Sequence, residues 1–283
     1  MNKTLHLILI YVTIFHIVIL FTGCSSIEVV PVVVNEEGAV LDAKPGPLSI
    51  LRKNIFDIAD ADTSCANRFW KNRGRAKKAY MRGMALMYAK QVCGQGSEFI
   101  KSSRIRSEYT LYNGPKKHQD ALEYYGLPGS ELSTYAFLIG LGMRESSGKY
   151  CEGRDKSADW TQAQNAEAGM FQTAYVSRVF NSELKKLFDR YISDRSQCEL
   201  SVFSEGVSCE PYDAKTYGEG DGAGFQQLAK SCPAFATQWA AILIRSNYRH
   251  FGPIIRKEVE YVKSCESMLS AVEATVKNKC DQL

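Results

Sequence analysis

No segment limits the fold of this chain more than Tyr135 to Met143, which is apolar on every side except for two glycines. Its composition predicts a helix that begins at Ser130-Glu131. A helix that is apolar all round has to be buried, so the rest of the chain must surround it. The helix reaches Arg144-Glu145-Ser146-Ser147-Gly148, where Gly148 is a natural stop.

Most of the remaining body also follows a helical period, and alternating strand patterns are nearly absent. The fold class is therefore mostly α. The basic stretch Lys71 to Lys78, whose simplest interpretation is a solvated face, leads into an amphipathic helix that ends near Cys93. The glycine-rich run Gly218 to Gly224 predicts a flexible connection, because it matches neither a phosphate loop nor a calcium loop. The other predicted helices are Ala166–Phe180, Ser182–Ile192, Phe225–Lys230, Pro233–Tyr248 and Pro253–Lys279.

Residues 1–23 have the layout of a secretion signal, with Lys3 before an almost unbroken apolar run. The run ends at Phe21-Thr22-Gly23-Cys24, which resembles the lipobox of bacterial lipoproteins. That resemblance implies lipid on Cys24, and Ser25 after it favours the periplasmic face of the outer membrane. A plain transmembrane anchor is the alternative. Residues 24–48, rich in Val, Pro and Gly, are expected to form a tether from lipid to domain.

Eight cysteines remain if Cys24 carries lipid, and an even number in an exported chain predicts disulfides. Cys198 with Cys209 is a plausible local pair. Metal binding is improbable, because no C-x-x-C pair occurs and only His118 and His250 follow the signal. We expect no metal and no cofactor.

The net charge excludes little, but it argues against nucleic acid as a partner. The whole chain carries +4, and residues 1–23 hold only one charged group, Lys3. So mild a positive bias would suit an anionic polymer such as the cell wall, yet it decides nothing alone.

Glu145 is the most informative titratable residue, because it follows a wholly apolar helix. Desolvation and the negative end of the helix dipole both favour its neutral form. Such a carboxyl group can hold a proton near neutral pH and deliver it to a leaving oxygen. A helix-terminal surface glutamate paired with Arg144 is the structural alternative.

Two motifs give Glu145 a chemical context. Gly142-Met-Arg-Glu-Ser-Ser-Gly148 is followed, 24 residues after the glutamate, by Gly169-Met-Phe-Gln-Thr-Ala-Tyr175. This pair resembles the Glu-Ser and Gly-Leu-Met-Gln motifs of soluble lytic transglycosylase domains and goose-type lysozymes. The resemblance implies that Glu145 is general acid and then base, with Ser146 beside it in contact with substrate or the glutamate. It also implies a sugar cleft lined by Gly169, Met170, Phe171 and Gln172.

A third family motif, Ala-Tyr-Asn-Ala-Gly, is faintly echoed by Asn247 to Gly252, which would direct Tyr248 at the catalytic acid. The resemblance covers about residues 130–253. It implies a lysozyme-like transglycosylase domain over residues 126–283, preceded by an N-terminal helical annex over residues 49–125 that matches no family we can name. The implied substrate is the glycan strand of peptidoglycan.

Two other functions stay open. A hydrolase needs a second carboxylate, which Asp155 or Asp159 between the motifs can supply. A lytic transglycosylase needs only Glu145, because the sugar's own 6-hydroxyl closes on the anomeric carbon to give a 1,6-anhydro end. From another class, a non-catalytic lipoprotein would keep the cleft to bind glycan or to scaffold an envelope machine.

Overall fold

The computed structural model describes residues 49–61, 65–94, 120–121, 123–127, 129–154, 162–245 and 252–283. Over these residues the chain is mostly helical, as predicted. Its only sheet there is a two-stranded hairpin, with β1 at Phe69–Trp70 paired antiparallel to β2 at Gly74–Arg75. The helices are α1 Ile50–Asp60, α2 Lys78–Val92, α3 Glu131–Ser146, α4 Ser182–Ser193, α5 Leu200–Ser204, α6 Pro211–Ala214, α7 Gly220–Ser231, α8 Pro233–Arg245, α9 Gly252–Ile255 and α10 Lys263–Val276.

Helix α3 is the buried helix that the sequence predicts. Ser130 caps its start, because the Ser130 hydroxyl accepts a hydrogen bond from the Ser133 N–H at 3.1 Å. Every residue from Thr134 to Met143 is buried. The helix ends where Ser147 adopts a left-handed conformation and the Gly148 N–H donates to Gly142 O at 3.1 Å. Glu145 therefore lies in the last turn of a helix that the protein interior encloses.

Helices from both ends of the chain surround α3. Helix α2, which precedes α3 in the chain, packs on it. Helices α8 and α10, which follow α3 in the chain, pack on it as well. Helices α1 and α2 also pack against α10, so residues Pro47–Leu283 form one compact unit. Helix α2 is nearly all buried, rather than amphipathic as predicted, because α1, α3, α5 and α10 all contact it.

Four disulfides join the eight cysteines, which confirms that the cysteines pair with one another. The bridges are Cys65–Cys265, Cys93–Cys280, Cys151–Cys209 and Cys198–Cys232. The predicted Cys198–Cys209 pair is wrong. Helix α5 follows Cys198 and inserts Val202 and Phe203 into the core, while Cys198 stays beside the start of α8 through a hydrogen bond from the Ala234 N–H.

Two predicted helices are wrong in their extent. Residues Ala166–Phe180 form no continuous helix, because Gly169 and Gln172 have positive φ angles and Ala168 pairs with Thr173 in an antiparallel bridge. Only Tyr175–Phe180 form 3-10 turns. The predicted Pro253–Lys279 helix is split into α9 and α10, because Lys257 has a φ of 56° and an extended segment follows it.

The glycine-rich run is also more ordered than predicted. Helix α7 begins inside it at Gly220, and the Asp221 carboxylate in its first turn accepts a hydrogen bond from the Tyr175 hydroxyl at 2.8 Å. Predicted helices Ser182–Ile192 and Phe225–Lys230 are confirmed within α4 and α7. Helix α8 confirms the Pro233–Tyr248 prediction as far as Arg245, and the rest of that range lies outside the described residues.

The expected signal (1–23), Cys24 and the tether (24–48) all lie outside the described residues, and they stay predictions. The boundary expected between residues 125 and 126 also stays a prediction. Among the residues that the structure does describe, no helix is both long enough and apolar enough to span a bilayer.

Candidate active site

Glu145 lies in the last turn of α3 and makes no hydrogen bond or ion pair with any described side chain. Burial and, to a smaller extent, the negative charge of Glu167 raise the pKa of its carboxyl group to about 8. The positive charges of Arg73, Arg144 and Arg256 oppose this shift. Because burial outweighs the three cations, Glu145 carries a proton near neutral pH, as a general acid requires.

Arg144, the neighbour of Glu145 in sequence, is not its ion-pair partner. The Arg144 guanidinium donates to the Glu258 carboxylate at 2.6 Å, and Arg256 binds the same carboxylate at 2.8 Å. These two hydrogen-bonded arginines lower the pKa of Glu258 to about 2. The alternative of a surface Glu145–Arg144 pair is therefore wrong, because Glu258 holds the arginine.

Ser146 joins the two sequence motifs. Its buried hydroxyl lies 2.9 Å from Met170 O in the second motif and 3.1 Å from Gly142 O in its own helix. A serine hydroxyl has one proton, so it donates to these two carbonyl oxygens in turn or shares the proton between them. The residue after Glu145 thus fixes the end of α3 against the Gly169–Gln172 turn.

The second motif lies under the site with its side chains turned into the protein. Met170 and Phe171 are at most 1% exposed, and Gln172 is also buried. The Gln172 side-chain amide donates to the carbonyl oxygens of Gly153 and Gly169, both at 3.0 Å. These side chains support the turn from inside the protein and do not line an open cleft, as the resemblance implied they would.

Close packing explains two glycines around Glu145. A Cβ atom on Gly142 would lie 2.3 Å from the Tyr80 hydroxyl oxygen, whose proton is donated to Leu138 O or Ile139 O. At Gly169, with a φ of 76°, a Cβ atom would lie 2.5 Å from Ala229 O of α7. Tyr80 and α7 therefore set the positions of both motifs.

Two charged residues that lie near Glu145 were not predicted from the sequence to do so. Glu167 lies two residues before Gly169, and its carboxylate is near enough to raise the pKa of Glu145. The signal for Glu167 was its place beside the second motif. Arg73 lies in the turn of the β1–β2 hairpin, within the basic stretch that was interpreted as a solvated face, and no local pattern connects it with Glu145.

Tyr248 of the third motif, and the second-carboxylate candidates Asp155 and Asp159, lie outside the described residues. Within the described ranges, no group of three or more His, Cys, Asp or Glu side chains is arranged to hold a metal ion.

Comparison with known protein families, curated proteins and solved structures found no match to this chain.

Proposed function

We propose that this protein is a peptidoglycan lytic transglycosylase in which Glu145 cleaves the bond between N-acetylmuramic acid and N-acetylglucosamine. The observation that carries the proposal is the Glu145 carboxyl group itself, which is desolvated, has no hydrogen-bond partner among the described residues and has a pKa near 8. A surface glutamate with a structural role has little reason to retain its proton at neutral pH.

The reaction uses Glu145 twice. The protonated Glu145 gives its proton to the glycosidic oxygen as the bond to the muramyl anomeric carbon breaks. The 6-hydroxyl of the same muramyl sugar then bonds to that carbon, and the Glu145 carboxylate takes the hydroxyl proton. The products are a 1,6-anhydro-muramyl end and a free 4-hydroxyl on the other sugar, and Glu145 is protonated again.

The contacts around Glu145 support this role by limiting its movement. Ser146 fixes the end of α3 to Met170, and the Tyr80 hydroxyl donates to the carbonyl oxygen of Leu138 or Ile139, about two turns earlier in the helix. A general acid gains most when its proton is held at a set distance from the leaving oxygen, and these buried contacts supply that rigidity.

A hydrolase is the second candidate, because Glu167 places another carboxylate near Glu145. In an inverting or retaining glycosidase such a group activates water or attacks the anomeric carbon. Product analysis separates the two reactions. Anhydro-muramyl ends favour the transglycosylase, whereas reducing ends favour the hydrolase with Glu167, Asp155 or Asp159 as the second carboxylate.

The expected location follows from the amino end, and it belongs to the same proposal. Lipid on Cys24 would hold the domain at the inner face of the outer membrane, next to peptidoglycan. Metabolic labelling with a fatty acid tests this, because Cys24→Ser should remove the label. Equal labelling of the wild type and the variant would exclude Cys24 as the anchor.

The decisive experiment is Glu145→Gln, which keeps the volume of the side chain but cannot give a proton. Loss of general acid catalysis should lower the rate on purified peptidoglycan by about 10² to 10⁴-fold. Circular dichroism should show that the fold is unchanged. Glu131→Gln is the matched control, since Glu131 begins the same helix at its opposite end, and this variant should keep wild-type activity.

The same pair of variants tests the non-catalytic alternative. A glycan-binding or scaffolding protein would show no cleavage in the wild type, and its binding to peptidoglycan would not depend on the proton of Glu145. Full activity of Glu145→Gln would contradict the proposed mechanism directly.

A further inference from the structure

A groove of about 790 Å³ lies beside the last turn of α3. Met143 and Arg144 line it, so it adjoins the turn that carries Glu145. The β1–β2 hairpin forms one wall, and the extended segment Lys257–Tyr261 forms another. None of the motifs that resemble lytic transglycosylases includes these walls.

The charges that line the groove do not cancel. Five cationic side chains face two carboxylates, Glu258 and Glu260. Arg144 is bound to Glu258 and Arg68 to Glu260, so both carboxylates are already engaged. The remaining cations are Lys71, Arg73 and Lys257, and none of them has an ion pair with a described residue.

Backbone hydrogen bonds fix the hairpin turn that carries Lys71 and Arg73, and the Lys257 ammonium packs on an aromatic ring. The Lys71 backbone N–H donates to the Glu260 carboxylate at 2.6 Å, which fixes the hairpin turn against the other wall. Within that turn the Arg73 N–H donates to Trp70 O at 3.0 Å. The Lys257 ammonium lies 4.7 Å from the centre of the exposed Tyr124 ring, and Tyr124 also lines the groove.

We infer that this groove binds the carboxylates of the peptide stems that hang from the muramyl sugars of peptidoglycan. The inference rests on the proposed function, because a glycan strand cleaved at Glu145 brings its stems to the neighbouring surface. Stem peptides carry free carboxylates, and three cations without carboxylate partners are the chemistry that recognises them. The exposed Tyr124 ring adds an apolar face for the peptide's short side chains.

The test compares two substrates: glycan strands that bear stems, and strands from which an amidase has removed them. The wild type should cleave the stem-bearing strands with the higher kcat/KM. In the double variant Lys71→Gln/Lys257→Gln, the ratio of the two kcat/KM values should fall by about tenfold, as expected when two exposed charge contacts are lost. The fall should be smaller at high salt.

The matched control is Lys277→Gln/Lys279→Gln. Both lysines are exposed near the C-terminus and neither lines the groove, so this variant removes the same net charge elsewhere. It should keep the wild-type ratio. Lys257 has a φ of 56°, but glutamine has the same backbone preference as lysine there, so the test variant should fold.

Each outcome decides a separate point. Equal cleavage of both substrates by the wild type, or an unchanged ratio in Lys71→Gln/Lys257→Gln, would overturn the stem-binding inference and leave the proposed activity intact. If neither substrate is cleaved, the proposed function fails. Titration of the wild type and the double variant with a synthetic stem peptide then decides the inference alone, since binding that the two lysines do not weaken would overturn it.

Discussion

The Ser146 hydroxyl lies 2.9 Å from the carbonyl oxygen of Met170, and this one contact connects the two motifs of the candidate active site. The two residues are 24 positions apart in sequence, and both are buried. The contact explains why a serine directly after Glu145 is useful even though it is turned away from solvent. Ser146 positions the acid by holding the end of its helix.

This contact predicts a measurable cost for Ser146→Ala. The substitution leaves the buried Met170 carbonyl without its donor, so the free energy of unfolding should fall by about 1 to 3 kcal/mol. Urea denaturation measures this loss, and kcat should fall with it if the acid moves. Ser133→Ala is the control near the start of the same helix, where solvent replaces the lost hydroxyl and the cost should stay below about 0.5 kcal/mol.

The activity should fall as the pH rises through about 8, because Glu145 must be protonated to act as an acid. Glu167→Gln removes a negative charge that raises the pKa of Glu145, so the falling limb of kcat/KM should move to lower pH. Arg73→Gln removes an opposing positive charge, so the limb should move to higher pH. Shifts in the same direction for both variants would contradict the assignment of Glu145 as the titrating acid.

The pKa of Glu145 is raised in the folded state, so the stability that depends on this group should fall as the pH rises. For an ordinary ion-paired acid, whose pKa is lowered by folding, stability rises with pH. Below the pKa of the unfolded chain both states are protonated, so Glu145 costs nothing. Between that pKa and about 8 only the unfolded state ionises, so wild-type stability falls as the pH rises. Above about 8 the cost is constant.

Glu145→Gln lacks this cost, so its advantage over the wild type should grow from near zero at about pH 4 to at most about 5 kcal/mol above about pH 8, since one pKa unit corresponds to about 1.4 kcal/mol. Urea denaturation of both proteins at several pH values measures the difference. Groups common to both proteins cancel in this comparison. A difference that does not change with pH would show that Glu145 ionises normally in the folded state.

The four disulfides should differ in their resistance to reduction. Cys209 is exposed, whereas both cysteines of the Cys65–Cys265 bridge are 0% exposed. A thiol reagent must reach a sulfur atom to exchange with it, so mild reductant should open Cys151–Cys209 first. Alkylation followed by peptide mapping identifies the first thiols released. Release of Cys65 and Cys265 before Cys209 would contradict the structure.

Sequence was enough to predict the buried α3 and the place of Glu145 in its last turn, because an apolar helix of that length has only one stable environment. The sequence was also enough to predict that disulfides are present, because the even number of cysteines and the signal-like start can be read without knowing the fold. The pairing was not predictable, since Cys198 meets Cys232 only after α5 and α8 have packed.

The surroundings of Glu145 were harder to predict for the same reason. Arg73 comes near the acid through a hairpin whose strands have two residues each, which is too short for an alternating pattern to show. The helix predicted over Ala166–Phe180 was wrong because Gly169 and Gln172 take left-handed conformations, a choice that the packing of α7 against Gly169 imposes. Long-range contacts decided each of these features.

The bridges Cys65–Cys265 and Cys93–Cys280 also govern when the protein can finish folding. Their partners are separated by 200 and 187 residues, and the later cysteines stand in the last 19 residues of the chain. A ribosome completes the amino-terminal helices first, at about 5 to 20 residues per second. Cys65 and Cys93 therefore exist for many seconds before their partners are made, and a disulfide that either forms in that interval is a wrong one. Correct maturation of this protein thus depends on a delay between synthesis and oxidation, or on an isomerase that repairs the early pairs.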